Sequence, residues 1–189
     1  MDFNLSDDQR SYVETARAFS EGVLAPGAAH WDEHSIFPIE VLKQAGELGF
    51  MGMYTPEAAG GLAMSRLDAS LIVEELAKGC TTTAAFLTIH NMATNMIGKY
   101  CQTAAIDTWC PALVSGEKLA SYCLTEPGAG SDASALRTSA VRDGDDYVVN
   151  GAKVFISGAG DTDVLVVMLR TGGAGAKGVS ALLIAADAP

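Results

Sequence analysis

The spacing of hydrophobic residues changes along the chain, and this change limits the folds that the chain can adopt. Before about residue 117, apolar residues recur every three to four positions, the spacing of one face of an α-helix. After it, short runs of β-forming residues alternate with Gly and Asp turns, which is typical of strands. The sequence therefore predicts an α+β protein, with an all-α helical domain over residues 1–116 and a β domain over residues 117–189.

The helical part contains five predicted helices with recognisable ends. They cover approximately residues 6–26, 38–49, 65–79, 82–97 and 104–113. Ser6 and Gln9 form a capping box, and the first helix is expected to stop near Pro26. The fourth helix is almost wholly apolar or small, so we expect it to be buried on most sides. Pro111 is expected to break or kink the fifth helix.

The second part contains six predicted strands. They cover residues 119–125, 136–141, 147–150, 153–157, 164–169 and 179–184. Turn residues such as Asn150-Gly151 separate them. Spacing this short leaves no room for crossover helices, so we expect a mostly antiparallel sheet that forms a small barrel or sandwich.

Charge and composition exclude several classes of partner. The chain has 23 acidic and 12 basic residues, a net charge of -11, which would repel the phosphate backbone of a nucleic acid. No apolar run reaches the length of a membrane span. The N-terminal residues resemble neither a signal nor a transit peptide, so the prediction is a cytoplasmic protein of bacterial type, or a matrix protein if this is a mature mitochondrial chain. Four cysteines without a CxxC pattern are expected to be reduced thiols: Cys80, Cys101, Cys110 and Cys123.

The histidines and methionines allow two interpretations each. His30 and His34 could share one helical face and bind zinc, but the metalloprotease order is absent, so no metal site is predicted. His90, in the apolar fourth helix, is interpreted as a core histidine or as a polar lining of a ligand pocket. Met92 and Met96 are interpreted as core or as part of the same apolar pocket.

The strongest local motif is YCLTEPGAGSD at residues 122–132. Pro127 fixes a turn directly after the strand, and three small residues follow it. Small residues bring backbone N–H groups close to a bound anion, and the hydroxyl of Ser131 adds a donor. The motif is therefore a candidate anion site, although Gly-rich turns without a ligand are also common between strands.

Two segments of the chain resemble a known family. Residues 122–132 resemble the flavin-site signature of the acyl-CoA dehydrogenases, and NGAKVFIS at residues 150–157 resembles the family's NG-x-K-x-W-I-T strand. The resemblance runs over the whole chain, as helices followed by a β domain. The run FISGAG and the TGG loop after it are most similar to the isobutyryl-CoA dehydrogenase branch, linked to valine breakdown.

The resemblance implies a set of contacts with FAD. Leu124 and Thr125 would lie against the flavin ring, and Ser131 would meet the FAD pyrophosphate and also the acyl-CoA substrate. The Ser157 hydroxyl would lie near flavin N5. Phe155 stands where many members have Trp, and Ser157 where many have Thr, which keeps an aromatic face and a hydroxyl. The full implied cofactor set is Tyr122, Cys123, Leu124, Thr125, Glu126, Pro127, Gly128, Ala129, Gly130, Ser131, Phe155, Ile156 and Ser157.

The reaction implied is the α,β-dehydrogenation of a short or branched acyl-CoA. In the family a carboxylate removes the α proton, hydride passes to flavin N5, and electrons then pass to an electron-transferring flavoprotein. The base is expected in a C-terminal helical domain, which also makes most contacts of the family's homotetramer. No catalytic residue is therefore predicted here, and residues 1–189 alone are expected to be inactive. Two alternatives stay open: an acyl-CoA oxidase that uses oxygen, and a short non-catalytic module that binds a nucleotide or a partner protein.

Overall fold

The computed structural model describes residues 4–189. The chain divides between Lys118 and Leu119 into two compact units, a helical one and a sheet one. The helices are α1 (Asp7–Phe19), α2 (Ala25–Glu33), α3 (Ile39–Glu47), α4 (Arg66–Gly79), α5 (Thr81–Tyr100) and α6 (Thr103–Val114). The strands are β1 (Ala120–Cys123), β2 (Ser139–Asp143), β3 (Asp146–Asn150), β4 (Val164–Arg170) and β5 (Val179–Ala185).

The first helix begins as predicted and ends differently. The Ser6 hydroxyl accepts from the Gln9 N–H at 3.1 Å, and the Gln9 side chain accepts from the Ser6 N–H at 3.0 Å, which confirms the capping box. The expected stop at Pro26 is wrong. A π-helical turn (Ser20–Leu24) joins α1 to α2, and Pro26 lies in the first turn of α2. Proline is tolerated there because the first turn of a helix needs no N–H donor.

The burial expected of the fourth helix is confirmed, and the break expected in the fifth is not. Between residues 82 and 97 of α5, only Thr82 and Ala85 are exposed, and the other residues are buried or half-buried. Met92 and Met96 are among the half-buried ones. The helix α6 continues through Pro111 to Val114, so the expected break is wrong.

Buried polar side chains fasten α5 to its neighbours. Asn91 accepts from the Met53 N–H at 2.8 Å and donates to the carbonyls of Phe50 at 2.7 Å and Leu87 at 2.9 Å. His90 is fully buried, with Nε2 3.0 Å from the Leu113 carbonyl. Burial lowers the pKa of His90 to about 4, although this hydrogen bond acts in the opposite direction. His90 is therefore a neutral core histidine, one of its two interpretations.

A buried carboxylate joins α1 to α4. Glu75 accepts from the Arg17 guanidinium at 3.0 and 3.2 Å and from the Lys78 ammonium at 2.7 Å. Hydrogen bonds from Arg17 and then Lys78 outweigh the effect of burial and lower the pKa of Glu75 to about 2. The Ser20 hydroxyl donates to the Glu75 carbonyl at 2.7 Å, so the π-helical turn is tied to α4 as well.

The sheet is mixed, and β4 is its central strand. Strand β1 runs parallel to β4, with Ala120 opposite Val164, and β5 runs antiparallel to it, with Ala185 opposite the same residue. Strands β2 and β3 form an antiparallel hairpin that meets β4 only at Ser139, opposite Arg170. Apolar residues on β1, β2 and β4 form the core of this unit: Cys123, Ala140, Val167 and Leu169, with half-buried neighbours Ile156, Leu165, Leu182 and Ile184.

The prediction of a mostly antiparallel barrel or sandwich is therefore wrong in its topology. The short spacing excludes crossover helices only between consecutive strands. Strands β1 and β4 are not consecutive, and the long segment between them, which contains the β2–β3 hairpin, makes the crossover that a parallel pair requires. The predicted strand at 153–157 does not form, because Phe155 has a φ of 57°, which a sheet ladder does not accommodate.

Other expectations concern thiols, metals and membranes. All four cysteines are free. The rings of His30 and His34 lie near each other at the end of α2, tilted by 43° with centroids 4.4 Å apart, and no group of three or more metal-ligating side chains occurs within residues 4–189. Over the same residues, no helix combines the length and the apolar character that crossing a membrane would require.

Candidate functional site

The candidate site begins where β1 ends. Leu124 and Thr125 are half-buried, and Glu126 to Ala129 form a tight turn closed by two backbone hydrogen bonds of 3.0 and 3.1 Å. These bonds join the N–H and carbonyl groups of Glu126 and Ala129 in both directions. Pro127 and Gly128 therefore lie exposed at the tip of the turn.

The carboxylate of Glu126 is buried and engaged on both oxygens. Oε2 accepts from the Arg137 N–H at 2.6 Å, and Oε1 accepts from the Thr138 N–H and the Lys153 ammonium, both at 2.8 Å. Burial raises the pKa of Glu126, but the hydrogen bonds from Lys153 and from these backbone groups outweigh it and lower the pKa to about 2. The carboxylate is therefore charged, and both of its oxygens accept hydrogen bonds from groups of the protein itself.

Lys153 connects the two segments that the sequence singled out. Besides its bond to Glu126, its ammonium donates to the Leu124 carbonyl at 2.9 Å. The next residue, Val154, donates its N–H to the Thr125 carbonyl, also at 2.9 Å. Residues 124–126 and 153–154 are therefore held side by side. Sequence reasoning missed Lys153, although a lone cation in a run of apolar residues was a usable signal.

Beyond this junction the chain presents an exposed aromatic ring. Phe155 is 94% exposed and has its backbone in the left-handed region, with a φ of 57°. That conformation is strained for a bulky residue. On the far side, the Ser121 hydroxyl donates to the Ser157 carbonyl at 2.6 Å, which holds the segment against β1. A costly backbone conformation thus supports a ring that packs against little of this chain.

Two glycines in and after the turn at Glu126 leave their backbone uncovered. Gly128 and Gly130 are exposed, and a Cβ added at either would meet no described atom within 4 Å. Neither has a positive φ. Neither close packing nor backbone conformation within the described chain requires glycine at these positions. Ser131 follows them and is also exposed, so this turn can approach a ligand closely.

Arg170 fixes the loop that follows Ser131. Its guanidinium donates to the carbonyls of Ser134 at 2.8 Å, Leu136 at 3.0 and 3.2 Å, and Gly175 at 3.0 Å. Its backbone N–H donates to the Thr138 carbonyl at 2.8 Å. Sequence reasoning missed Arg170, because an Arg at the end of a strand carries no sign of the loops that it will bind.

The remaining predicted site residues differ in exposure. Tyr122 and Ile156 are half-buried, and Cys123 lies in the core of the sheet unit. Burial raises the pKa of the Tyr122 phenol. It also raises the pKa of the Cys123 thiol, although Lys153 acts in the opposite direction. Both side chains are therefore uncharged at neutral pH.

The helical unit carries a groove of its own. Its volume is about 430 Å³, and it runs along α4 beside Tyr54 and Thr88. The guanidinium of Arg66 lies 3.5 Å from the centroid of the Tyr54 ring, and the Tyr54 hydroxyl donates to the Thr88 carbonyl at 3.3 Å. The other lining residues are Ala69, Ser70, Val73, Glu74 and Ala77.

The helical unit and the mixed sheet unit each match one domain of an oxidoreductase family. Residues 6–117 match the N-terminal domain of acyl-CoA dehydrogenases, and residues 121–189 match the middle domain. The chain belongs to the acyl-CoA dehydrogenase family.

Several individual members of the family are similar to this chain. The chain is 48% identical to a mitochondrial isobutyryl-CoA dehydrogenase of Dictyostelium discoideum and 46% identical to that of Bos taurus, over 98% of its own length in both cases. Its fold matches the crystal structure of a glutaryl-CoA dehydrogenase from Mycobacterium smegmatis in complex with FADH2, with a TM-score of 0.91, 29% identity and 98% of this chain covered. The chain spans 45%, 44% and 47% of these three proteins, respectively.

Proposed function

We propose that residues 122–131 and 155–157 form part of an FAD site in an acyl-CoA dehydrogenase that acts on a short, branched substrate such as isobutyryl-CoA. The observation that carries this proposal is Phe155, an aromatic ring that is 94% exposed on a strained backbone. Contacts within the described chain do not stabilise an exposed ring on a strained backbone, whereas a planar ligand packed against the ring would. The identity to two isobutyryl-CoA dehydrogenases supports the choice of substrate.

The residues present fit two parts of FAD, the flavin ring and the pyrophosphate. The half-buried Leu124 and Thr125, held beside Val154 by a 2.9 Å hydrogen bond, offer a partly apolar surface for the flavin ring. The exposed residues Gly128, Gly130 and Ser131 offer uncovered backbone and a hydroxyl, which suit a pyrophosphate. Glu126 would not repel that anion strongly, because its charge is balanced by Lys153 at 2.8 Å.

The chemistry and the partners follow from the same proposal. Bound FAD would supply the hydride acceptor for α,β-dehydrogenation. The Ser131 hydroxyl would serve both the pyrophosphate and the acyl-CoA, and the Ser157 hydroxyl would face the flavin. We further propose that the whole protein passes electrons to an electron-transferring flavoprotein and assembles as a homotetramer. Its place would be the cytoplasm in bacteria or the mitochondrial matrix in eukaryotes.

Removal of the Ser131 hydroxyl tests the anion-binding turn. In the full-length natural protein, Ser131→Ala is expected to weaken FAD binding by about 1–2 kcal/mol, the size of one hydrogen bond to a charged group. Isothermal titration of the apoprotein with FAD measures this change. Ser115→Ala, an exposed serine of the helical unit, is the matched control and should leave the affinity unchanged. An unaltered affinity in Ser131→Ala would remove Ser131 from the site.

The electron acceptor needs a separate measurement. After anaerobic reduction with isobutyryl-CoA, the enzyme is mixed rapidly with oxygen or with oxidised electron-transferring flavoprotein, and flavin reoxidation is followed by absorbance. A dehydrogenase should react fast with the flavoprotein and slowly with oxygen. Fast reaction with oxygen would instead identify an acyl-CoA oxidase.

A further inference from the structure

The Glu126–Lys153 pair lies at the junction of the two segments proposed to hold FAD. Its side chains are 6% and 10% exposed, whereas most ion pairs of the described chain include a partner that is about half exposed. The charges lie 2.8 Å apart. A buried pair costs desolvation energy and is weak evidence for stability by itself. Stability alone therefore does not explain why this ion pair is buried at the junction of the two segments.

The hydrogen bonds of the pair reach two separate stretches of backbone, and Lys153 itself lies on a third. Glu126 receives the N–H groups of Arg137 and Thr138, and Lys153 donates to the Leu124 carbonyl. The loop at 137–138 continues the stretch that begins with Ser131, and Leu124 precedes the tight turn. One carboxylate and one ammonium thus fix the end of β1, the loop after Ser131 and the segment that leads to Phe155.

We propose that Glu126 and Lys153 are positioning residues for FAD, which set the distance between the Leu124–Thr125 surface and the Phe155–Ser157 segment. The inference rests on the proposed function, and it assigns Glu126 an indirect role instead of a direct flavin contact. Lys153 is the key member, because its ammonium alone contacts both Glu126 and the Leu124 carbonyl. The adjacent bond from Val154 to Thr125 keeps the two segments in register.

The test uses three variants of the FAD-loaded full-length protein: Lys153→Met, Glu126→Gln and the double variant. Lys153→Met leaves a buried carboxylate without its cation. In Glu126→Gln, the amide NH₂ would face an N–H donor, because Arg137 and Thr138 donate to different oxygens. Both single variants are expected to lower the midpoint of thermal unfolding. The double variant removes both charges and should recover part of that loss.

The positioning role is read from the flavin. Near-saturating FAD is added, and the visible circular dichroism and the midpoint reduction potential are measured. Lys153→Met and the recovered double variant are expected to change both signals and to weaken FAD binding about tenfold. Recovery of stability without recovery of the flavin signals would separate positioning from simple fold maintenance. Lys153→Arg keeps the charge and serves as the folded variant if the others are too unstable to purify. It should retain FAD with an altered circular dichroism spectrum, because its planar guanidinium meets Glu126 and the Leu124 carbonyl with a different geometry.

Glu75→Gln is the matched control. Glu75 is another buried carboxylate, 7% exposed, with cationic partners in the helical unit. It should lose stability to a similar extent and keep the wild-type flavin signals. Wild-type flavin signals in the Lys153 variants would overturn the positioning role and leave the FAD proposal standing. A wild-type protein that binds no FAD would overturn both.

Discussion

Replacing Phe155 with glycine separates the stability of the protein from its proposed function. A bulky residue in the left-handed region costs about 1–2 kcal/mol relative to glycine. Since the ring is 94% exposed, its removal sacrifices almost no buried apolar surface. The greater freedom of glycine in the unfolded chain offsets about 0.5–1 kcal/mol of the gain. Phe155→Gly should therefore raise the free energy of unfolding of the apoprotein by up to about 1.5 kcal/mol, with a central value of about 0.8 kcal/mol.

The same substitution should weaken the cofactor site. Loss of an aromatic face against a planar ring is worth about 1–2 kcal/mol, which corresponds to roughly a tenfold higher dissociation constant for FAD. Urea denaturation of the apoprotein measures the first effect, and fluorescence titration with FAD measures the second. A gain in apoprotein stability accompanied by a loss of FAD affinity is the expected result.

Val141→Gly provides the control for Phe155→Gly. Val141 is 65% exposed on β2, where the backbone is extended, so glycine there should cost about 0.5–1 kcal/mol. A Phe155→Gly apoprotein that is less stable than wild type would refute the strain argument. Unchanged FAD affinity would refute the role of the ring as a ligand surface.

Three further predictions concern the helical unit and are measured by urea denaturation. Glu75→Gln should lower the free energy of unfolding at pH 7 by about 1–3 kcal/mol, because charged hydrogen bonds to Arg17 and Lys78 are lost. The folded pKa of Glu75, about 2, lies below its ordinary 4.5, so its contribution to stability is present above pH 4.5 and disappears as the pH falls through 2. Glu75→Gln should therefore weaken the fall of the free energy of unfolding between pH 4.5 and 2. An unchanged fall in this pH range would contradict the prediction. Asn91→Ala should lower the free energy of unfolding by about 3 kcal/mol, because the Phe50 carbonyl and the Met53 N–H lose their buried partner, whereas half-buried Asn95→Ala should cost far less. His90 must be neutral in the fold, so its contribution to the free energy of unfolding is lost as the pH falls from 6.5 to about 4. His90→Gln should remove this dependence of stability on pH. An equal dependence in both proteins would mean that another group causes it.

Local features of this protein could be predicted from the sequence, and long-range ones could not. The Ser6 capping box and the Ser65 cap of α4, whose hydroxyl accepts from the Asp68 N–H at 3.1 Å, depend on residues three apart, so the sequence is sufficient to find them. The parallel pairing of β1 with β4 depends on segments that are distant in the chain, and short spacing between consecutive strands says nothing about it.

The candidate site shows the same division. The motif around residues 124–131 could be recognised because its residue types are close together in sequence. The partner of Glu126, however, is Lys153, and the backbone of Phe155 is set by contacts at Leu124, Thr125 and Ser121 and not by its own preference. Propensity predicted a strand at 153–157 because Val, Phe and Ile favour strands, and tertiary contacts overrode that preference.

The pairing of β1 with β4 has a consequence for the order of events during synthesis on the ribosome. Ala120 finds its neighbour Val164 only after the whole intervening segment has been made, whereas the contacts among helices α1 to α6 need only segments that are synthesised before β1. Contacts between distant segments form slowly because a long loop must close first. The nascent helical unit should therefore resist protease while β1 is still sensitive, and pulse-labelled chains arrested before residue 164 would reveal this interval.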